Sequence, residues 1–347
     1  MVEKFIQIAG LFLAETIIDI RPLHGGLINA TYKVQTEKNQ CFVLQRINAN
    51  VFPDAHAIQR NMQRVGEFLQ QSGYPKEILI PMHLKSGALF YVDAQNDAWR
   101  MFRYLENTAC YQHLANDEFA ENAAKALGEL HGYLAQMSAG KLSIHLPEFT
   151  NFSARLLQFE HALVVASPDR LAMAEKDISL LSKHSVIVDC FVELQAKLPM
   201  RIIHGDPKLS NFLFEKDGAH VVALIDLDTL MPGTVLYDFG DMARSFCSSK
   251  NEESSEENGF NNQIYNVIKS SYLKSASDFL TPLETQSMDL AAAAVMTVQA
   301  HRFLTDFLQG DVYYHIDHPM QNLHRAQNQR QVLEGFLEKV DLILPTN

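Results

Sequence analysis

The chain has 347 residues and a formal net charge of −12, and 47% of it is apolar. That apolar content is enough to bury a sizeable core, and the length suits two lobes. An acidic surface of this kind excludes general nucleic-acid binding, which needs basic groups to displace counterions. Cys41, Cys110, Cys190 and Cys247 are scattered without a Cys-x-x-Cys pair and are expected as free thiols in a reducing compartment. The N-terminal stretch is apolar but broken by Glu3, Lys4 and Glu15. It shows no signal-peptide pattern and no membrane span, so cytoplasmic residence without membrane partners is expected.

The first predicted element is a short amphipathic helix over 5–13, with Ile6, Ala9 and Leu13 near one face. A strand over 17–23, the turn His24-Gly25-Gly26-Leu27-Ile28-Asn29 and a second strand over 30–35 follow. Glycines at such a tip let backbone N–H groups approach phosphates, so Gly25, Gly26 and Asn29 are candidate nucleotide contacts. The stretch lacks the Gly-Lys-Ser/Thr of a Walker A loop. CFVLQRI over 41–47 reads as the next strand, with Gln45 and Arg46 on opposite faces.

Residues 54–71 fit one helix, with Asp54 as N-cap and Ile58, Met62, Val65, Phe68 and Leu69 on the buried face. Strands over 78–81, 88–92 and 99–105 complete an antiparallel sheet. From 117 the pattern turns helical, with helices expected over 118–137, 152–165 and 171–198. His131 lies inside the first of these, with no ligand partner at metal spacing, and reads as a packed histidine.

Residues 201–246, RIIHGDPKLSNFLFEKDGAHVVALIDLDTLMPGTVLYDFGDMARSF, carry the chemistry. Two short β-prone runs flank the turn Lys216-Asp217-Gly218. That hairpin gathers Asp206, Lys208, Asn211, Asp226 and Asp228 near one end of a small sheet. Asn211 and Asp226 offer hard oxygen ligands for Mg²⁺, which shares its shell with substrate phosphates. Asp206, five residues before Asn211, is placed to orient a substrate hydroxyl. Beyond an acidic loop over 248–258, helices are expected over 260–275, 282–308 and 322–340, with an aromatic turn over 311–315.

The order of Asp206, Asn211 and Asp226 resembles the catalytic loop and metal-binding Asp of kinases. The His-Gly-Asp opening and Ile-Asp-Leu-Asp segment are similar to the aminoglycoside phosphotransferase and choline kinase superfamily. IDLDTLMPGTVLYDFGD, with GGLINATYKV, FVLQRIN and RFLTDFLQGDVYY, looks most like its N-acetylhexosamine 1-kinase branch. The resemblance implies an α+β, bilobal protein-kinase-like fold. A small antiparallel β-sheet lobe would cover 1–105 and bind nucleotide; a larger, mainly helical lobe would cover 106–347.

Transfer of the ATP γ-phosphoryl group to the anomeric hydroxyl of an amino sugar, with Mg²⁺, is the implied activity. Asp206 would accept or orient the hydroxyl, and Lys208 would stabilise charge on the transferred group. Tyr104, Leu105 and Glu106 would form the hinge at the adenine edge. Arg302 and Asp306, four residues apart, would either pair within their helix or help form the sugar pocket with Asp206, and Asp228 would touch substrate, metal or only the loop backbone. Asp238 and Asp241 would brace the catalytic loop, with Arg244, and His204 would have a structural hydrogen-bonding role.

One departure stands out. The strand position where kinases carry a phosphate-binding Lys is Gln45 here. Either Arg46 swings inward, or another cation takes the role. Two rival readings remain open at this level: a choline, aminoglycoside or other hydroxyl kinase, and a nucleotide-binding pseudokinase.

Overall fold

The computed structural model describes residues 2–23, 29–49, 51–250 and 258–344. Gly25 and Gly26 lie outside the described residues, as does most of the acidic loop. The chain forms two compact units. The first comprises residues 1–110, 139–146 and 210–231; the second comprises 111–138, 147–209 and 232–347. Its mixed α+β character is the one the sequence leads one to expect, with a small antiparallel sheet in one unit and helices dominating the other.

In the first unit, helix α1 (Val2–Gly10) precedes strands β1 (Ile17–Pro22), β2 (Ala30–Thr36) and β3 (Cys41–Ile47). Helix α2 (Ala55–Gln71) follows, capped by the Asp54 carboxylate, which accepts from the Ala57 N–H. Next come β4 (Tyr91–Val92), β5 (Ala98–Arg103) and β6 (Thr108–Ala109). The five-stranded sheet has the order β1-β2-β3-β5-β4 and is antiparallel throughout. One face buries Ile8, Phe12, Val34, Leu44, Trp99 and Met101 in a single cluster. Burial of this apolar surface is the main force closing α1 onto the sheet.

Two strand expectations are corrected. Residues 78–81 form no strand; their neighbours hydrogen-bond individually, Glu77 N–H to Val222 O and Met82 N–H to Met101 O. The strand over 88–92 shortens to its last two residues.

The hairpin Phe212–Glu215 and Val221–Leu224 belongs to this unit because β6 extends it, with Thr108 opposite Glu215. Asn61, buried on α2, donates to the carbonyls of Ser143 and Leu230 at 2.8 and 3.0 Å. That side chain fixes the turn that follows the hairpin.

The second unit contains α3 (Asp117–Leu134), α4 (Phe152–Val165), α5 (Pro168–Gln195), α6 (Val235–Phe246), α7 (Asn262–Ala276), α8 (Pro282–Gln286), α9 (Met288–Gln309) and α10 (Gln321–Lys339). The run Ala291–Ala294 in α9 is fully buried. Gly240 of α6 makes the close approach possible: a Cβ there would lie 2.6 Å from Val295 Cγ2 and 2.9 Å from the Ala291 carbonyl oxygen. The single helix expected over 282–308 is broken at Ser287. Glu284 is drawn back into a capping box with Thr281, and Arg201 grips the same carboxylate at 2.8 and 2.9 Å.

Among the described residues, no helix is long and apolar enough to cross a membrane. All four cysteines are free thiols.

Candidate active site

The candidate catalytic loop begins where the strand Arg201–Ile203 ends. Gly205 has φ of 86°, a conformation that costs glycine little and most other residues much more. The fully buried carboxylate of Asp238, on α6, holds the turn from below. Its Oδ2 accepts the His204 N–H at 2.6 Å and its Oδ1 accepts the Gly205 N–H at 2.8 Å. His131 Nε2 donates to the same Oδ2 at 2.9 Å, while its Nδ1 lies 2.8 Å from the Tyr272 hydroxyl. His131 is thus a hydrogen-bonded core residue. His204 is buried, and its Nδ1 accepts the Asp206 N–H at 3.3 Å, a structural hydrogen bond that shapes the loop. Asp241 pairs with Arg244 at 2.8 Å one turn further along α6.

Asp206 is partly exposed and pairs with Lys208 at 2.8 Å. The second unit also carries an aromatic and cationic cluster. The Arg302 guanidinium of α9 stacks on Phe149 at 5.4 Å and Tyr314 at 5.9 Å and donates to Gln299 at 3.0 Å. Burial disfavours its charge, but the neighbouring Tyr314, Tyr237, Tyr313 and Asp241 hold its pKa above the usual range. Tyr237 connects the two regions. Its hydroxyl is pushed up by burial and by Asp241 and Asp206, while Arg302 and Arg244 oppose the shift. Arg155 adds a second guanidinium, its pKa lowered by burial and by Arg302, with a buried Nε that has no hydrogen-bond partner among the described residues.

Asp306 does something other than pair with Arg302. Its Oδ1 accepts the N–H groups of Val312 and Tyr313 at 2.9 and 2.8 Å. Its Oδ2 accepts the Tyr314 N–H and Asn322 Nδ2 at 2.9 and 2.8 Å. Four donors on one buried carboxylate lock the aromatic turn that presents Tyr314 to Arg302.

In the first unit, Asn211 and Asp226 come to the same end of the hairpin. Phe212 pairs with Leu224, and the Ile225 N–H donates to the Asn211 carbonyl at 2.9 Å. Asp226 has φ of 61° and ψ of 54°, a left-handed conformation uncommon outside glycine and of a kind that clusters at functional sites. Among the described residues, no group of three or more His, Cys, Asp or Glu could by itself hold a metal. Two oxygen donors fit Mg²⁺ all the same, because that ion keeps several waters and completes its shell with phosphate.

Asp228 is buried, and both its oxygens are engaged: Oδ1 with Arg100 at 2.6 Å and Oδ2 with Asn29 Nδ2 at 2.7 Å. Arg46 is turned outward, 3.2 Å from Asp97. Of the two routes left open for a cation beside Gln45, the inward swing of Arg46 is not the conformation observed. Tyr104 donates its N–H to the Cys41 carbonyl at 3.1 Å, and Lys33 sits 3.8 Å over its ring. The Leu105 carbonyl accepts from the Thr108 hydroxyl at 2.7 Å, and Glu106 is exposed.

The sequence reading missed Arg100, Arg155 and Tyr237. For Arg100 a signal existed: a charge within the apolar strand Trp99-Arg100-Met101-Phe102, which burial must compensate.

The fold is that of known kinases. A microcompartment-associated aminopropanol kinase is 15% identical, covers 99% of this chain and 100% of its own, and has a TM-score of 0.68. A spectinomycin phosphotransferase crystallised with ADP and spectinomycin is 12% identical, covering 96% and 97%, with a TM-score of 0.61. The choline kinase of Cryptosporidium parvum is 14% identical, covering 98% and 95%, with a TM-score of 0.57. Residues 19–261 match the sequence model of the phosphotransferase enzyme family, and the chain belongs to that family.

Proposed function

We propose that the protein is an ATP-dependent small-molecule kinase that phosphorylates the anomeric hydroxyl of an N-acetylhexosamine. The observation carrying the choice of acceptor is the stacking of Arg302 on Phe149 and Tyr314. A choline-type acceptor needs free aromatic faces for its cation. Here a guanidinium of the protein already lies over them, and Arg155 adds like charge nearby. A cationic acceptor is disfavoured, whereas a neutral sugar brings hydroxyl and amide oxygens that guanidinium and phenol groups bind.

Asp206 orients the acceptor hydroxyl and takes its proton, and Lys208 stabilises charge on the transferred group. Asn211 and Asp226 would hold Mg²⁺, which supplies charge neutralisation on the phosphates. Gly25, Gly26 and Asn29, with Tyr104, Leu105 and Glu106, are the proposed nucleotide contacts. The ADP bound by the spectinomycin phosphotransferase supports a nucleotide cofactor. Arg302 serves the acceptor directly, and Asp306 serves it through the turn it organises. Catalysis of this type is mostly positioning and electrostatics.

The test is ATP consumption with Mg²⁺ against N-acetylglucosamine, N-acetylgalactosamine, other hexoses, choline and an aminoglycoside, with NMR of the product. A sugar 1-phosphate supports the proposal. Phosphate on choline or on another hydroxyl refutes the acceptor while keeping the kinase. Nucleotide binding without turnover on any acceptor moves the reading to a pseudokinase, the alternative that Gln45 favours.

A further inference from the structure

Arg100 lies inside β5 and is 1% exposed. Its cross-strand partner is Gln45 of β3, the position where other kinases carry their lysine. The guanidinium is held through all three of its nitrogens by two partners. Nε and Nη2 donate to Gln45 Oε1 at 2.9 and 2.6 Å, and Nη1 stands 2.6 Å from Asp228 Oδ1. Asp228 in turn accepts from Asn29 at its other oxygen, and its carbonyl lies 2.6 Å from His145 Nε2. Asn29 Oδ1 accepts the Asn48 N–H at 2.9 Å.

One chain of contacts therefore runs from β3 through Arg100 to the turn after Asp226 and on to the residue that follows the glycine segment. A buried ion pair adds little stability over an apolar pair of the same volume, because desolvation offsets the attraction. What this one supplies is geometry: Asp228 is two residues from the candidate metal ligand Asp226, and both its oxygens are held.

We propose that Arg100 takes the place of the missing strand lysine, and that through Asp228 it positions the candidate metal-ligand turn and Asn29 for Mg–nucleotide. Asp228 is then a positioning residue, which resolves its role in favour of the nucleotide end of the reaction. The inference rests on the reading that this site takes Mg–ATP.

The test uses the full chain, with calorimetric binding of Mg–ADP, thermal melting, and KM for ATP and acceptor measured separately. Arg100→Met is expected to weaken Mg–ADP binding and raise KM for ATP by about 10–100-fold, as loss of a supporting residue behind a metal site does. KM for the acceptor stays within about twofold. Asp228→Asn behaves in the same way. Adding Gln45→Lys to Arg100→Met restores the charge from β3 and recovers most of the affinity.

An Arg100→Met protein that melts lower yet binds Mg–ADP like the wild type overturns the proposal, because the pair would then be structural only. Should that variant not fold, Arg100→Lys decides by the same criterion, since an ammonium cannot reproduce the forked contacts to Gln45 and Asp228. Wild-type protein that binds no Mg–ADP overturns the nucleotide reading and this inference together. Wild-type binding with unaffected variants overturns the inference alone.

Discussion

Replacing Asp238 by Asn tests how the candidate catalytic loop is held. The carboxylate accepts three N–H groups in a fully buried setting: His204 and His131 on one oxygen, Gly205 on the other. An amide is nearly the same size but can accept on one side only. In its better orientation it keeps the two donors on the first oxygen and turns its NH₂ against the Gly205 N–H. Two buried donors then face each other without an acceptor, at about 1–3 kcal/mol each. The expected loss is about 4 kcal/mol. At roughly 2–4 °C per kcal/mol, thermal melting should fall by about 10 °C. The released N–H belongs to the residue before Asp206. A displacement of about 1 Å there should lower kcat about 100-fold. Differential scanning calorimetry and steady-state kinetics read the two effects. A variant melting within about 2 °C of wild type, with kcat within about twofold, would refute the reasoning.

Asp206→Ala should lower kcat by about 10²–10⁴-fold while nucleotide affinity, read by calorimetry, stays near wild type. Asp226→Ala should weaken Mg–nucleotide binding as well, and near-normal activity in either variant would remove the role assigned to it. Burial lowers the pKa of His301 to about 4, partly offset by its bond to the Thr297 carbonyl. The unfolded chain takes up this proton at a higher pH than the folded one, so stability falls as pH drops from about 6.5 to about 4. That loss reaches about 3 kcal/mol. His301→Gln should flatten the acid limb of a melting-temperature profile, and an unchanged limb would count against the assignment. Gly240→Ala forces α6 from α9 and should cost about 1–3 kcal/mol, measured by chemical denaturation; a neutral result would mean the two helices part easily.

What the sequence determined by itself was local. Asn211 and Asp226 could be placed together because a hairpin with a short turn brings its own ends together, whatever surrounds it. The grouping of Asp206 with Asn211 was legible for the same reason, as the two lie in one short segment. The helix start at Asp54 likewise depends on a side chain next to the backbone group it caps.

The tertiary structure decided which charges face inward. Strand alternation separates Gln45 from Arg46, but only the packing of α2 against the sheet shows that Arg100 is the buried cation and that Arg46 meets Asp97 outside. Spacing alone put Arg302 and Asp306 on one helix face, yet the Asp306 carboxylate serves N–H groups at 312–314 and Asn322, which only the folded turn brings to it. The break at Ser287 has the same origin: Glu284 is held by Arg201, 83 residues earlier in the chain. A buried polar group takes whichever partner the completed fold delivers, because leaving it unpaired costs more than any local preference can offset.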